Sequence, residues 1–266
     1  MGVLNITPDS FSDGGRLFLE GTVNLDAVRD QAQCMVEAGA AILDIGGESS
    51  RPGADVVSTA EEQRRVLPVI EALADLDVVL SVDTYHAATV SAAIQYGAGM
   101  INDITAGRDP NVIAAVADSN VAYALMHMQG TPQTMQQAPS YNEVVPEIAR
   151  YLRERFLRCQ AAGIEATRLL VDPGFGFGKS LNHNLALLRH LAEFRVDGCP
   201  ILVGMSRKSM IGSITGQPVQ NRLAGSLSAM AIALENGANL VRVHDVEQSM
   251  DALRVWIAYS SSEGSQ

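Results

Sequence analysis

Lysine is nearly missing from this chain: of 19 basic residues among 266, only Lys179 and Lys208 are lysines, and the others are arginines. The solvated positive surface is therefore built from Arg; at Lys179 a Lys-poor genome would account for the bias as well as function would. Cysteine is also scarce. Cys34, Cys159 and Cys199 are odd in number, far apart and without a C-x-x-C spacing, which argues against a disulfide framework or a cysteine zinc site and suits a reducing compartment. No stretch approaches the roughly 20 apolar residues of a membrane span. The opening residues lack the basic start and apolar core of a signal peptide, so a cytoplasmic protein is expected. Basic charge is in deficit, 19 Lys and Arg against 30 Asp and Glu for a net of −11. General attraction to nucleic acid or to an anionic membrane is thus disfavoured, and any anionic ligand has to be held by a local basic cluster.

What is present is ordinary globular material, 47% hydrophobic and 18% charged, which excludes disorder. Short β-branched runs closing on polar residues alternate with longer Ala-rich amphipathic stretches, as in βα units around a parallel sheet. Eight such runs are legible, at 2–5, 41–46, 78–83, 100–104, 122–127, 169–172, 201–204 and 240–244. Helical spacing fills the interval from Asn24 to Gly39, where Gly supplies a stop, and comparable blocks end at Gly97, Gly163 and Gly237. No composition shift or Ser/Pro linker divides the chain. The expectation is an α/β fold, a single-domain (β/α)8 TIM barrel over residues 1–258 with a frayed tail at 259–266. Because the sequence opens directly on the first strand, either a trimmed start or a barrel open at the bottom is expected.

In such a barrel the chemistry lies at the carboxyl ends of the strands. Those ends read Asn5, Asp44, Asp83, Asn102-Asp103, His127, Asp172, Ser206-Arg207-Lys208 and Arg242-Val-His244. A lone Asp after a strand is more often a helix cap or turn residue, but eight polar ends in succession strain that reading. Asp44 lies inside its run and suits bracing of neighbouring strands as well as ligand contact. By charge the residues fall into two groups. Asp83, Asn102 and Asp172 suit a flat heterocycle that presents an amino-amidine edge. Arg51, Arg242 and His244, with Asn5, suit an anion; the V-R-V-H spacing puts Arg242 and His244 on one face of the last strand, where such barrels commonly bind phosphate.

Two loops, 7–15 and 46–53, are longer and more chemically loaded than plain connections. They read as lids in which Asp9, Phe11, Ser50 and Arg51 cover a substrate. After the sixth strand, Asp172-Pro-Gly-Phe-Gly-Phe-Gly-Lys179 has glycines that let the backbone approach a ligand, with Phe175 or Phe177 as a flat face. It has neither the Walker nor the dinucleotide-fingerprint order.

These motifs resemble those of the dihydropteroate synthases. The resemblance rests on Met1-Gly-Val-Leu-Asn-Ile-Thr-Pro-Asp-Ser-Phe-Ser-Asp-Gly-Gly15, Asp44-Ile-Gly-Gly-Glu-Ser-Ser-Arg-Pro-Gly53, Ser81-Val-Asp-Thr84, Ile101-Asn-Asp103, Asp172-Pro-Gly-Phe-Gly-Phe-Gly178, Ser206-Arg-Lys-Ser209 and Arg242-Val-His244, in that family's order from first strand to last. It implies condensation of 7,8-dihydropterin-6-ylmethyl diphosphate with para-aminobenzoate in folate biosynthesis, with Mg2+ as cofactor, sulfonamides as inhibitors and a homodimeric assembly. It further implies a pterin pocket of Asp83, Asn102, Asp172 and Lys208 with Met126 beside the ring. Asn5 would meet the metal, and Asn5, Ser50, Arg51, Arg242 and His244 would hold the diphosphate. Phe11, Pro52, Phe177 and Ser209 would shape the para-aminobenzoate site, and the catalytic burden would fall on Asp9, Arg51, Lys208, Arg242 and His244. The implied reaction is dissociative: cations stabilise the departing diphosphate, a carboxylate such as Asp9 faces the developing pterinyl cation, and no strong general base is required. Three departures stand out. Ser50 replaces a common Thr, Tyr85-His86 differs from familiar forms, and the usual N-terminal hairpin is not in this sequence.

Other readings predict different behaviour. A pterin-binding methyltransferase would share the heterocycle grip, but not the Asp-Ser-Phe-Ser-Asp loop or the V-R-V-H pair. A Schiff-base aldolase would use Lys208 as an amine nucleophile, detectable by borohydride trapping. A non-catalytic pterin-binding module would capture the diphosphate without releasing it.

Overall fold

Apolar β-branched runs bounded by turn residues form short strands, and helices return the chain so that successive strands lie parallel. In the computed structural model, which describes residues 1–8, 17–19, 22–50, 53, 54 and 56–262, β1 (Gly2–Asn5) is followed by a small hairpin, β2 (Phe18–Leu19) antiparallel to β3 (Thr22–Val23). The main sheet runs from β1 through β4 (Ile42–Gly46), β5 (Val79–Asp83), β6 (Met100–Asp103) and β7 (Ala122–Met126) to β8 (Leu169–Asp172). A further parallel pair, β9 (Leu202–Val203) and β10 (Leu240–Val241), is joined to β8 by the bridge Val171↔Ile201 and to β1 by the bridge Gly2↔Val243. The ring therefore closes as an eight-stranded barrel. The last run is shorter than expected as a strand, ending at Val241, although the Arg242 and Val243 N–H groups still donate to Val203 and Met1 carbonyls.

Helices α1 (Leu25–Glu37), α2 (Thr59–Ala72), α3 (Ala87–Gln95), α4 (Pro110–Ala117), α5 (Val144–Ala161), α6 (Leu181–Arg189), α7 (Ser209–Thr215), α8 (Leu223–Glu235) and α9 (Val246–Ser262) make the outer layer. Their ends obey local chemistry: Asn24 and Ser58 accept from the first-turn N–H groups of Ala27 and Glu61, and Gly39 takes the positive φ that stops α1. Helix α9 runs four residues into the stretch expected to fray at 259. Among the described residues no helix is long and apolar enough to cross a membrane.

Two cores follow from strand alternation. Outward residues such as Leu43, Ile45, Leu80, Val82, Ile101, Tyr123 and Val171 pack against Val28, Ile70, Val90, Ile113 and Leu152 of the helices. Inside the barrel, Met1, Met100, Ala124 and Leu202, with Ile42, Ala122, Leu170 and Leu240, form an apolar layer. Two residues further along those strands stand Asp44, Asn102, Met126, Asp172, Gly204 and Arg242. The interior thus changes from apolar to polar toward the carboxyl ends. Asp103, one residue out of phase with Asn102, is fully buried on the helix side, where it accepts from Tyr123 Oη at 2.7 Å and from the Thr105 and Gly107 N–H groups. It braces a turn rather than joining the polar rim.

Candidate active site

Register brings the first set of rim residues together. Asn5 pairs with Gly46, Gly46 with Asp83 and Asp83 with Asn102, so four consecutive strands place these residues in one row. Gly46 leaves the row open: a Cβ there would lie 3.6 Å from Asp83 Cβ and 3.8 Å from Asn5 Oδ1. Beneath the row, the Asp44 carboxylate is 0% exposed and accepts from Ser81 Oγ at 2.6 Å, Asn102 Nδ2 at 3.0 Å and Arg242 Nε at 2.6 Å. Of the two roles open to Asp44, the structure gives it bracing. Arg242 also donates from Nη2 to Asp83 Oδ2 at 2.9 Å, so the two charge groups read from the sequence form one network. A guanidinium suits this junction because its planar donors reach two carboxylates from different strands. Burial pushes the Asp83 carboxyl above its ordinary range, with Arg242 pulling the other way. Asn102 is 4% exposed, and its Oδ1 is buried without a hydrogen-bond partner.

Across the barrel, Asp172 closes β8 and accepts the Gly174 N–H at 2.7 Å through Oδ1. Burial raises its carboxyl, opposed by Lys208, and burial lowers the Lys208 ammonium to about 8, opposed by Asp172. Lys208 precedes α7 and turns inward because Arg207 adopts φ +57°, a conformation uncommon for a side-chain-bearing residue. That conformation is fixed by the Arg207 N–H donating to Ser226 Oγ at 2.9 Å and by its guanidinium pairing with Asp245. Lys208 Nζ donates to the Phe175 carbonyl at 2.5 Å and sits 4.5 Å from the centre of the Phe177 ring. Met126 belongs to a small cluster with Ile104, Met128 and Met135, against which Phe177 and Tyr85 pack. The structure therefore joins Met126, Phe177, Lys208 and Asp172.

At the last strand His244 receives support from Ser206: Ser206 Oγ accepts the His244 N–H at 3.2 Å and lies 3.1 Å from Nδ1. Ser209 opens α7 and is exposed. Ser50 is half-buried in a shallow pocket with Glu48, Asp83, Tyr85, Ile104 and Pro132. Asp9, Phe11, Arg51 and Pro52 lie outside the described residues.

Sequence reasoning missed the support of the second loop. Glu48 Oε2 lies 3.3 Å from His86 Nε2 and its Oε1 accepts the Val57 N–H at 3.3 Å, which ties Glu48 and Val57 to the start of α3. Glu62 stands in the same cluster, 1% exposed, accepting Thr89 Oγ1 at 2.5 Å. The unusual Tyr85-His86 pair was the available signal. Burial pushes the Glu48 carboxyl up, but the His86, Val57 and Tyr85 hydrogen bonds leave it below its ordinary range. The Glu48 bond raises His86 against burial, helped by Glu62 and Asp103. A His raised on folding contributes stability in full below its unfolded value, about 6.5, and loses it as pH climbs through the raised one; the Glu48 contribution is lost only in acid. The thermal midpoint of wild type relative to His86→Gln should therefore fall as pH rises above about 6.5. Parallel pH profiles for the two proteins would remove His86 from this role.

Comparison with known proteins agrees with the geometry. Residues 1–244 match the family of pterin binding enzymes. The chain is 50% identical to the dihydropteroate synthase of Escherichia coli K12 over 258 residues, 96% of this chain and 89% of that one. The Yersinia pestis dihydropteroate synthase, solved as a sulfonamide drug complex, superposes with a TM-score of 0.93 at 48% identity, covering 98% of this chain and 93% of that one. The Burkholderia cenocepacia enzyme, solved with 7,8-dihydropteroate, gives 0.89 at 44% identity over 100% and 92% of the two chains. A closed barrel, a polar rim in the expected register and identity along nearly the whole length all place this chain in the dihydropteroate synthase family of pterin-binding enzymes.

Proposed function

We propose that this protein is a transferase that joins 7,8-dihydropterin-6-ylmethyl diphosphate to para-aminobenzoate, giving 7,8-dihydropteroate and diphosphate. The observation that carries the reading is the orphaned Oδ1 of Asn102, a buried acceptor in register with Asp83. The amino and ring N–H groups of a pterin are donors that Asn102 Oδ1 and the Asp83 and Asp172 carboxylates accept, while Met126 covers the apolar face of the ring. Arg242, His244 and Ser50, with Arg51, hold the diphosphate. Phe177 and Ser209, with Phe11 and Pro52, shape the arylamine pocket, where sulfonamides compete.

The bond between the pterin methylene and the diphosphate oxygen breaks heterolytically, its electron pair leaving with the diphosphate. The cation is delocalised into the ring, the arylamine lone pair forms the new C–N bond, and the amine proton passes to solvent. Arg242 and His244 favour this step because their charge and hydrogen bonds meet a leaving group whose negative charge grows. Lys208, with the ring nearby, fixes orientation and borders the arylamine pocket through Phe177. Asp9 is the carboxylate assigned to the cation by its place in the first-loop motif. Asn5 offers a hard amide oxygen beside the Asp83 carboxylate, an all-oxygen set that fits Mg2+; bound with the diphosphate, that ion would neutralise leaving-group charge. For a homodimer, the exposed Ile214 of α7, Ile232 of α8 and Val255 of α9 are apolar side chains available to a partner.

The deciding experiment follows diphosphate release and dihydropteroate formation with Mg2+, with and without para-aminobenzoate. Matched formation of both products is expected. Pterin diphosphate binding with no release would leave a binding module, and methyl transfer from a folate would turn the reading to a methyltransferase. Phe177→Ala should raise the KM for para-aminobenzoate about tenfold, the loss of one aromatic contact of roughly 1.4 kcal/mol, and spare pterin affinity. An unchanged KM would take Phe177 out of that pocket.

A further inference from the structure

Six consecutive carbonyls in the loop after β8 each accept a hydrogen bond. The Gly174 carbonyl takes the Phe177 N–H at 3.1 Å, Phe175 takes Lys208 Nζ at 2.5 Å, and Gly176 takes Gln136 Nε2 at 2.6 Å. Phe177 takes Lys179 Nζ at 2.9 Å, Gly178 takes Tyr141 Oη at 2.9 Å, and Lys179 takes Asn184 Nδ2 at 3.4 Å. Connecting loops ordinarily turn many of their carbonyls to water. Here the chain's only two lysines hold alternate carbonyls of one loop, those of the two phenylalanines.

Lys179 is the interior member. It is 3% exposed, and its Nζ donates to the Phe177 carbonyl and to the His127 carbonyl at 3.3 Å and lies 3.0 Å from His127 Nδ1. His127 can accept because it is neutral: burial, with Lys179 and Arg108 adding to it, lowers the imidazole to about 2. Among the described residues no carboxylate forms an ion pair with Lys179; Asp172 acts on it only through space. Burial pushes the Lys179 amine well below its ordinary range, with Asp172 opposing and Lys208 adding to it, and an apolar side chain of similar volume would be the more stable occupant of this site. What the amine supplies is a donor that reaches the end of β7 and the main chain of Phe177 at once. The loop lies hard against that strand end, since a Cβ on Gly174 would meet the His127 carbonyl at 1.9 Å, and Gly174 has φ +72°.

We propose that Lys179 is a positioning residue that bolts the main chain of Phe177 to the end of β7 and so sets the arylamine pocket. This rests on the reading of Phe177 as a wall of that pocket. The pterin-facing Asp83, Asn102 and Asp172 belong to strands whose ladder bonds hold them without Lys179, and Lys208 remains as the stronger cationic influence on Asp172, so release of the bolt is felt chiefly on the arylamine.

The test uses Lys179→Met in the full chain, with KM for each substrate, kcat and thermal midpoint measured beside Phe177→Ala. The KM for para-aminobenzoate should rise about tenfold, the equivalent of one lost hydrogen bond, while kcat and the KM for the pterin diphosphate change by less than about threefold. A lower midpoint with both KM values unchanged would mark a structural lysine and overturn the proposal, as would equal changes in both substrates. If Phe177→Ala leaves the arylamine KM unchanged, the pocket reading fails first. If Phe177→Ala raises it and Lys179→Met does not, only the bolt fails; a rise with Lys179→Met alone places its effect elsewhere than Phe177 and also overturns the proposal. Should Lys179→Met not fold, Tyr141→Phe and Gln136→Ala free the neighbouring carbonyls of Gly178 and Gly176. Smaller rises in the same KM are expected, and no change in either would overturn the idea.

Discussion

Asp172→Ala should raise the dissociation constant for the pterin diphosphate by about two orders of magnitude or more, the loss of two hydrogen bonds to a charged group at roughly 1.5–3 kcal/mol each. The size follows from where the carboxylate stands. Asp172 is 5% exposed and closes an inward-facing strand position, and one of its oxygens already accepts the Gly174 N–H. A ligand that donates to it therefore gains hydrogen bonds in a site where water competes poorly. Asp172→Asn separates charge from shape: the amide oxygen can still accept from Gly174, but its NH2 group faces a ligand edge that also donates. It should bind nearly as weakly as Ala. Burial has raised the Asp172 carboxyl, so protonation begins at a higher pH than for an exposed Asp. Affinity in wild type should accordingly fall as the solution is acidified toward that raised value, because the ionised form is the better acceptor. Calorimetry of the three proteins decides it. Normal pterin affinity in Asp172→Ala would mean that the ring lies elsewhere.

Much of this site was legible before the fold was known, because strand alternation is a local property. Polar residues that end apolar runs had to reach the carboxyl rim of a barrel, and Asn5, Asp83, Asn102 and Asp172 do so. Phase explains the exceptions: Asp103 adjoins Asn102 and faces the opposite way, toward Tyr123, and His127 adjoins Met126 and faces Tyr151 of α5. The long-range partnerships were not legible. Arg242 reaches Asp44 and Asp83 across 198 and 159 residues, and nothing in the spacing of a V-R-V-H strand says that its arginine crosses the barrel to the residues read as a heterocycle grip. Lys179 looked like a compositional remnant, since its neighbours in sequence carry no charge to explain it; its role lies in the backbone carbonyls of a loop. The β2–β3 hairpin escaped notice because two-residue strands carry no periodicity.

The crossing arginine makes the second large effect a double one. Arg242→Ala should cut turnover by several orders of magnitude through loss of diphosphate stabilisation, and it should also lower stability by about 3–5 kcal/mol, the usual result of removing one partner of a buried ion pair. In a protein of this size that is roughly a 10 °C fall in the thermal midpoint. Asp44 is responsible for much of the stability loss, being fully buried with Arg242 as its cationic partner at 2.6 Å. The pH dependence gives the origin away. Without Arg242 the Asp83 carboxylate loses the cation that pulls against its burial, so the deficit relative to wild type should be largest at neutral pH and above and shrink as acid protonates it. Adding Asp44→Asn to Arg242→Ala should restore part of the midpoint and none of the turnover, because the neutral amide no longer demands a cation while the diphosphate still lacks one. Recovery of activity along with stability would mean that Arg242 serves the fold alone, and that His244 and its neighbours carry the leaving group without it.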